Sequence, residues 1–399
     1  MIELVGSSCK DCIIFSDSID SNALSIIYGF INHPMFADTR IRIMPDVHEG
    51  KDIVVGFTAP FSSHVNPDHI GGDIGCTVSN FITNIPANPE HYPDIEKRIR
   101  ETVKFGLGFQ DSLLFPIKEF YAHIRQRHSE ARRVWPEYVS DTDLGENEFA
   151  KLLKRVDMDS YVFYRQIATV GGGNHFVEIG LSPDGCYAVT VHCGSRNFGQ
   201  KVWKYWHTVA SNPSQVNTTG YLEGDCMRGY ITDMVIAQAY AEYNHLQIQR
   251  LVMQILTDLN GNKGHIAERI MTTHNYIDFE QRMIRKGAVA SIQGKRLVIP
   301  FNMRDGLAVC TGKSNPEWNF SAPHGAGRLL SRSEAKALVD IDEYRTAMNG
   351  IYTTSVTPST LDESPMAYKS PQEILSLIGD TVDVDFFIRP VINLKDRPE

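Results

Sequence analysis

Residues 321–336 read SAPHGAGRLLSRSEAK and set one histidine, His324, between a proline and a run of small residues just ahead of a helix signal. Gly325, Ala326 and Gly327 carry almost no side chain, so a phosphate could approach their backbone N–H groups closely, and glycine also permits the positive φ that such loops need. Arg328 and Arg332 add fixed positive charge. Ser331 and Glu334 have capping-box spacing, which predicts a helix starting there whose free N–H groups favour an anion near the loop. The stretch reads as a histidine beside a phosphate cradle; the plainer alternative is a glycine-rich turn whose histidine bonds locally.

A histidine of this kind needs partners, and the chemistry-bearing residues of this chain lie far from it. IRIMPDVHEGKDIVVGF (41–57) predicts strand, polar loop, strand, with Asp46 and His48 in the loop at an active-site rim. NPDHIGGDIGCTVSNFI (66–82) surrounds Asp73 and Cys76 with Gly71, Gly72 and Gly75, so a carboxylate and a thiol can turn toward one ion. Three strand-like segments each carry a histidine: QIATVGGGNHFVEIG (166–180) with His175, YAVTVHCGSRNFGQ (187–200) with His192, and IMTTHNYIDFE (270–280) with His274. Singly, each reads more simply as a satisfied structural histidine. Together, Asp73, Cys76, His175, His192 and His274 all sit at glycine-rich or polar strand ends, where site residues collect, and their mixed O, S and N donors suit a borderline divalent ion.

The remaining chain supplies the scaffold. Residues 92–157 read as charged helices, and 231–259 shows apolar residues at helical spacing up to Asn260-Gly261, a core helix with its terminator. RLVIPFNMRDGLAVCTG (296–312) is a strand-loop-strand unit, and LDESPMAYKSPQEIL followed by DFFIRPVINLKD predicts a turn, a helix and a last strand ending on Lys395. Neither a repeat nor a linker separates segments that must converge. The expected fold is mixed α/β (α+β), one domain over residues 1–399, with central β-sheets flanked by helices and the site at strand ends.

Composition bounds the function. With 399 residues, 42% hydrophobic and 22% charged, the chain is that of a globular protein with ample core. Membrane partners are not expected, because no segment approaches ~18 uninterrupted apolar residues, and MIELVGSSCKDC lacks the order of a signal peptide. The expected location is cytoplasmic. Seven cysteines argue for reduced thiols, and Cys9 and Cys12 form a lone CxxC without a second pair. A net charge of −9 argues against a generally basic nucleic-acid surface but permits a local basic channel. Arg282, Arg285, Lys286, Lys295 and Arg296, with Arg196, are expected to supply it, whereas HIRQRHSEARR (123–133) reads as a solvated helix face.

From about Met44 to Lys395 the chain resembles the RtcB-type RNA-splicing ligase family, through motifs that follow the family's order: MPDVHEG, GGDIGC, GGGNHFVEI, VHCGSR, THN, RKGA, HGAGRLLSRSEAK and AYK. The resemblance implies an enzyme of RNA repair or tRNA splicing that joins RNA ends carrying a 2′,3′-cyclic phosphate or 3′-phosphate to a 5′-hydroxyl, with GTP and two manganese (Mn2+) ions. It implies Asp73, Cys76, His175, His192 and His274 as manganese ligands, with the Cys76 thiolate shared. It makes His324 the histidine that accepts GMP, oriented by Asp46. The implied nucleotide contacts are Asn174, His175, Phe176, Val177 and Glu178; His274 and Asn275; Pro300, Asn302 and Met303; His324, Gly325, Ala326 and Gly327; and Lys395, with Tyr368 against the base. Two stretches depart from the family: Phe301–Asp305 replaces a Gly-Ser-Met loop, and Asp68 and His69 stand where glycines are usual. They point to a divergent branch. Two alternatives remain open to the sequence: a metal-dependent phosphodiesterase without nucleotide, and a non-catalytic RNA-binding relative whose metal is structural.

Overall fold

Two sheets frame the molecule, a computed structural model that describes residues 1–142, 144–211 and 220–397. Six strands pair in the order Ile2–Leu4, Asp11–Ile14, Arg40–His48, Val55–Pro60, Met283–Lys286 and Asn275–Asp278. Seven pair in the order Arg296–Asn302, Gly306–Gly312, Val382–Leu394, Phe176–Leu181, Cys186–Cys193, Thr77–Pro86 and Ile266–Thr273. A short ladder of Ala288–Ala290 with Ser321–Pro323 packs against both. Among the described residues, Asp11–Ile14 with Arg40–His48 is the one parallel pair, so the expected mixed α/β class takes its α+β form.

Register explains why distant segments meet. Thr77 lies opposite both Cys193 and Thr273, and His192 opposite both Val78 and Phe176. Cys76, His175, His192 and His274 therefore arrive at one edge of four adjacent strands, because neighbouring strand ends are held ~5 Å apart by the ladder.

The helix over Gly224–Leu259 runs 36 residues and ends at Asn260 as expected, but it starts two turns before the apolar periodicity does. Glu223 offers no side-chain cap and the helix opens on Gly224, a poor helix former, so nothing in the sequence marks the onset. Its N-terminal half packs with the helices Ile117–Val134 and Arg196–Ala210, and its C-terminal half lies on the seven-stranded sheet. Fully buried residues such as Ile231, Tyr240 and Ile248 tie the two cores together, each contributing roughly 1.5–3 kcal/mol of burial. None of the described helices is long and apolar enough to cross a membrane.

Asp46 and His48 are not in a loop. They complete the strand Arg40–His48, whose pairing to Val55–Pro60 shifts register between Ile43 and His48. The irregularity turns Asp46 inward, toward residue 324.

Candidate functional site

At the strand edge the five expected ligands come together. Cys76 Sγ lies 3.5 Å from His175 Nε2 and 3.2 Å from His192 Nε2; His175 Nε2 is 3.0 Å from Asp73 Oδ2, and His192 Nε2 is 3.4 Å from His274 Nε2. Donor atoms of Cys76, His175 and His192 all fall within one ion's reach. His192 Nδ1 faces the Asn174 carbonyl at 3.1 Å, which fixes the proton there and leaves Nε2 as a lone pair aimed at its neighbours. Burial, then repulsion from His175 and from His324 respectively, pushes His192 and His274 well below the ordinary histidine range, so both are neutral donors. Burial and the adjacent Asp73 push the Cys76 thiol up, which a divalent cation would reverse. Burial would raise Asp73, but His175 and the hydrogen bonds around it hold the carboxylate at about 2. Lone pairs converging this closely, in a mixed O, S and N set, fit a divalent metal. Backbone glycines make the room. A Cβ on Gly194 would collide with Asp73 Oδ1, and one on Gly171 with the His175 ring.

Beside this group stands His324, its ring centroid 4.8 Å from that of His274. Asp46 Oδ2 accepts from His324 Nδ1 at 2.6 Å and from the backbone N–H groups of His324 and Gly325 at 3.0 and 3.2 Å. The glycine run therefore also holds Asp46 in place. Gly325 spends its N–H on Asp46 rather than on a phosphate, and Gly327, at φ 74°, lets the main chain pass where a Cβ would sit 2.5 Å from the Asp46 carbonyl oxygen. The capping box of Ser331 and Glu334 forms as expected, Ser331 Oγ accepting from the Glu334 N–H and the Glu334 carboxylate from the Ser331 N–H, ahead of a helix only seven residues long, Arg332–Leu338. The Glu334 carboxylate lies at the terminus where an anion is expected.

His324 opens onto a cavity of about 1280 Å³, lined among others by Asn174, Phe176, Glu178, His192, Pro300, Asn302, Met303, Gly325, Ala326, Gly327, Tyr368 and Lys395. Val177 differs from its neighbours. Alternation along the strand sends Phe176 and Glu178 to the cavity and the Val177 side chain into the core, leaving it only main chain to offer. The Asn275 amide clamps structure, donating to the Asp73 carbonyl and accepting from Gly287 N–H. Asn302 likewise caps its own turn, accepting from the N–H groups of Arg304 and Asp305, so the divergent 301–305 loop is a self-bonded hairpin turn. Burial pushes Glu178 up to about 8, against the pull of Asn393 and Lys395.

One cavity residue carried no motif that reading the chain picked out. Glu363, 2% exposed, accepts from Lys395 Nζ at 2.8 Å, Tyr368 Oη at 2.7 Å and Arg332 Nη1 at 2.7 Å, with Arg328 Nη1 at 3.4 Å. Burial would raise its carboxyl, but Lys395 and Arg332 hold it at about 2. Arg328 and Arg332 are thus partly neutralised rather than free for phosphate, and Glu363 sets where Lys395 and Tyr368 point. Its one sequence signal is an acidic pair, Asp362-Glu363, a short step before Tyr368.

Three of the six cations expected to form a basic channel are engaged within the fold. Arg285 is fully buried, paired with Asp278 at 2.7 Å and bonded to Ser321 Oγ, and Lys286 Nζ binds the carbonyls of Lys51 and Asp68. Arg296 pairs with Glu268 and Asp385. A strand with one face in the core cannot present consecutive cations outward. Arg127 and Arg132, in the stretch read as a helix face, pair with Glu130, Glu242 and Asp141 as such a face does.

A family model described as tRNA-splicing ligase RtcB matches residues 31–396 of this chain. The chain is similar to the RNA-splicing ligase RtcB of Escherichia coli strain K12, 25% identical over 392 residues, which is 90% of this chain and 91% of the relative. The RNA-splicing ligase RtcB2 of a second Escherichia coli strain is 23% identical over 403 residues, 95% of this chain and 93% of the relative. The tRNA-splicing ligase RtcB of Archaeoglobus fulgidus is 24% identical over 401 residues, 84% of this chain and 83% of the relative. Identities this low across nearly full-length matches fit a divergent branch.

Proposed function

The chain belongs to the tRNA-splicing ligase RtcB family, and we propose that it is a GTP-dependent RNA ligase that seals 3′-phosphate or 2′,3′-cyclic phosphate ends to 5′-hydroxyl ends by way of GMP carried on His324. The observation that supports this most is the Asp46–His324 pair. A buried carboxylate 2.6 Å from Nδ1 keeps the proton on that nitrogen, so the Nε2 lone pair is free to attack, and the ring stands between the metal-ligand group and the cavity.

In the proposed first step His324 Nε2 forms a bond to the α-phosphorus of GTP as the bond to pyrophosphate breaks, the Nδ1 proton staying on Asp46's hydrogen bond. His324 next gives GMP to an RNA 3′-phosphate, and the 5′-hydroxyl then displaces GMP to close the phosphodiester. Divalent cations, which we assign as two manganese ions on Asp73, Cys76, His175, His192 and His274, would neutralise phosphate charge and activate water to open a cyclic end. Phe176, Tyr368 and Lys395 line the side of the cavity where the guanosine is assigned, and Glu363 holds the last two in place. Reduced, buried thiols including Cys76 suit the cytoplasmic setting we assign.

The test is covalent labelling. Incubated with manganese and GTP labelled on the α-phosphate, the protein should take up acid-labile label at His324, and His324→Ala should take none while still binding manganese. Equal labelling of His324→Ala, or none of the unaltered protein, overturns the reading.

A further inference from the structure

Asp46 holds two imidazoles. Its carboxylate fixes His324, and its main-chain oxygen lies 2.9 Å from Nδ1 of His48. A carbonyl can only accept, so His48 carries its proton on Nδ1 and its lone pair on Nε2. The two rings stack 26° from parallel with centroids 6.5 Å apart, and both line the cavity. His48 plays no part in the metal group or in the steps above.

We propose that His48 is the general base of the sealing step: its Nε2 takes the proton of the RNA 5′-hydroxyl as that oxygen attacks the activated 3′-phosphate. The inference rests on the ligase reading. In the step the O–H bond breaks and its proton moves to Nε2; the oxygen pair forms the new O–P bond; the P–O bond to GMP breaks and GMP leaves with that pair. The imidazolium, held through Nδ1–H by the Asp46 carbonyl, then loses its proton to water. Spacing supports the assignment, because a phosphoryl group handed on by His324 stays within reach of a hydroxyl held at His48. The groups facing His48 are Asp46 beneath it, His324 and Arg328 across the cavity, Glu49 and Lys51 on its own loop, and Lys369, whose ammonium binds the Pro45 carbonyl. Burial, against the pull of the Asp46 carbonyl, brings His48 down to about 4, so it is unprotonated at neutral pH, and incoming phosphates would raise its basicity.

Two variants and one measurement on the free protein test this. His48→Asn keeps an N–H for the Asp46 carbonyl but has no base, and His48→Ala leaves a space for added imidazole. Both should take GMP onto His324 within about twofold of the unaltered protein, yet seal RNA supplied with its 3′-phosphate already guanylylated roughly 100-fold more slowly or worse. Imidazole should rescue His48→Ala and not His48→Asn. Nitrogen-15 NMR of the protein without metal or nucleotide should show His48 neutral with its proton on Nδ1. Sealing by His48→Asn near the unaltered rate, loss of GMP uptake in that variant, absence of imidazole rescue, or a proton on Nε2 would each overturn the base role alone. An unaltered protein that takes no GMP and seals no activated end overturns the ligase reading, and the base role with it.

Discussion

At the residue scale the site depends on charges that burial makes expensive to leave unpaired. Removing Glu363 strands Lys395 in a site where its side chain is 5% exposed, and breaking such a pair costs roughly 3–5 kcal/mol. Glu363→Ala should lose that much in urea unfolding. Its acid behaviour has a definite sign. A carboxyl lowered from 4.5 to about 2 on folding stabilises fully above pH 4.5 and loses that contribution, about 3 kcal/mol, as the pH falls toward 2. The unaltered protein should weaken steeply over that window and Glu363→Gln less so, as urea midpoints at each pH would record. Gly194→Ala probes the metal group without replacing a ligand: the new methyl meets Asp73 Oδ1, so manganese affinity by calorimetry should fall about 10–100-fold with the fold retained. Residues of distinctive chemistry in distinctive contexts, His324 and Cys76 among them, were legible in the sequence. Glu363 was not, because one carboxylate in a turn looks like any solvated acid until four donors from residues 328–395 close around it.

Elements were legible where periodicity and punctuation agreed. The Ser331–Glu334 box and the Asn260-Gly261 stop appear where the chain signals them, whereas the start of the long helix and the end of the Arg40–His48 strand do not, since one lacks a cap and the other depends on a register shift made with its partner strand. The stretch 282–296 shows the limit most clearly. Its cations look like an RNA path in one dimension, but pairing with Val55–Pro60 on one side and Asn275–Asp278 on the other turns Arg285 inward onto Asp278. Arg285→Ala should therefore lower stability by roughly 3–5 kcal/mol, because it empties a fully buried position and takes the partner from the half-buried Asp278, and should leave the salt dependence of RNA binding unchanged. A flattened salt slope at unchanged thermal stability would restore the channel.

For the whole molecule the expectation of one domain is a claim about cooperativity. The long helix belongs to two cores and the site draws on both sheets, so urea unfolding followed by tryptophan fluorescence and by far-ultraviolet circular dichroism should give coincident transitions. Manganese at 100 times its dissociation constant should shift both together, by about 2.7 kcal/mol. Two separated transitions would divide the chain into units. The Asp46–His324 contact, spanning 278 residues, also sets a clock on biosynthesis. At ~5–20 residues per second, roughly 14–56 s separate the emergence of the aspartate from that of the histidine it holds. On the role proposed for His324, the nascent chain has no nucleophile to charge throughout that interval, and a product cut short before residue 324 should take up no GMP, as covalent labelling would record.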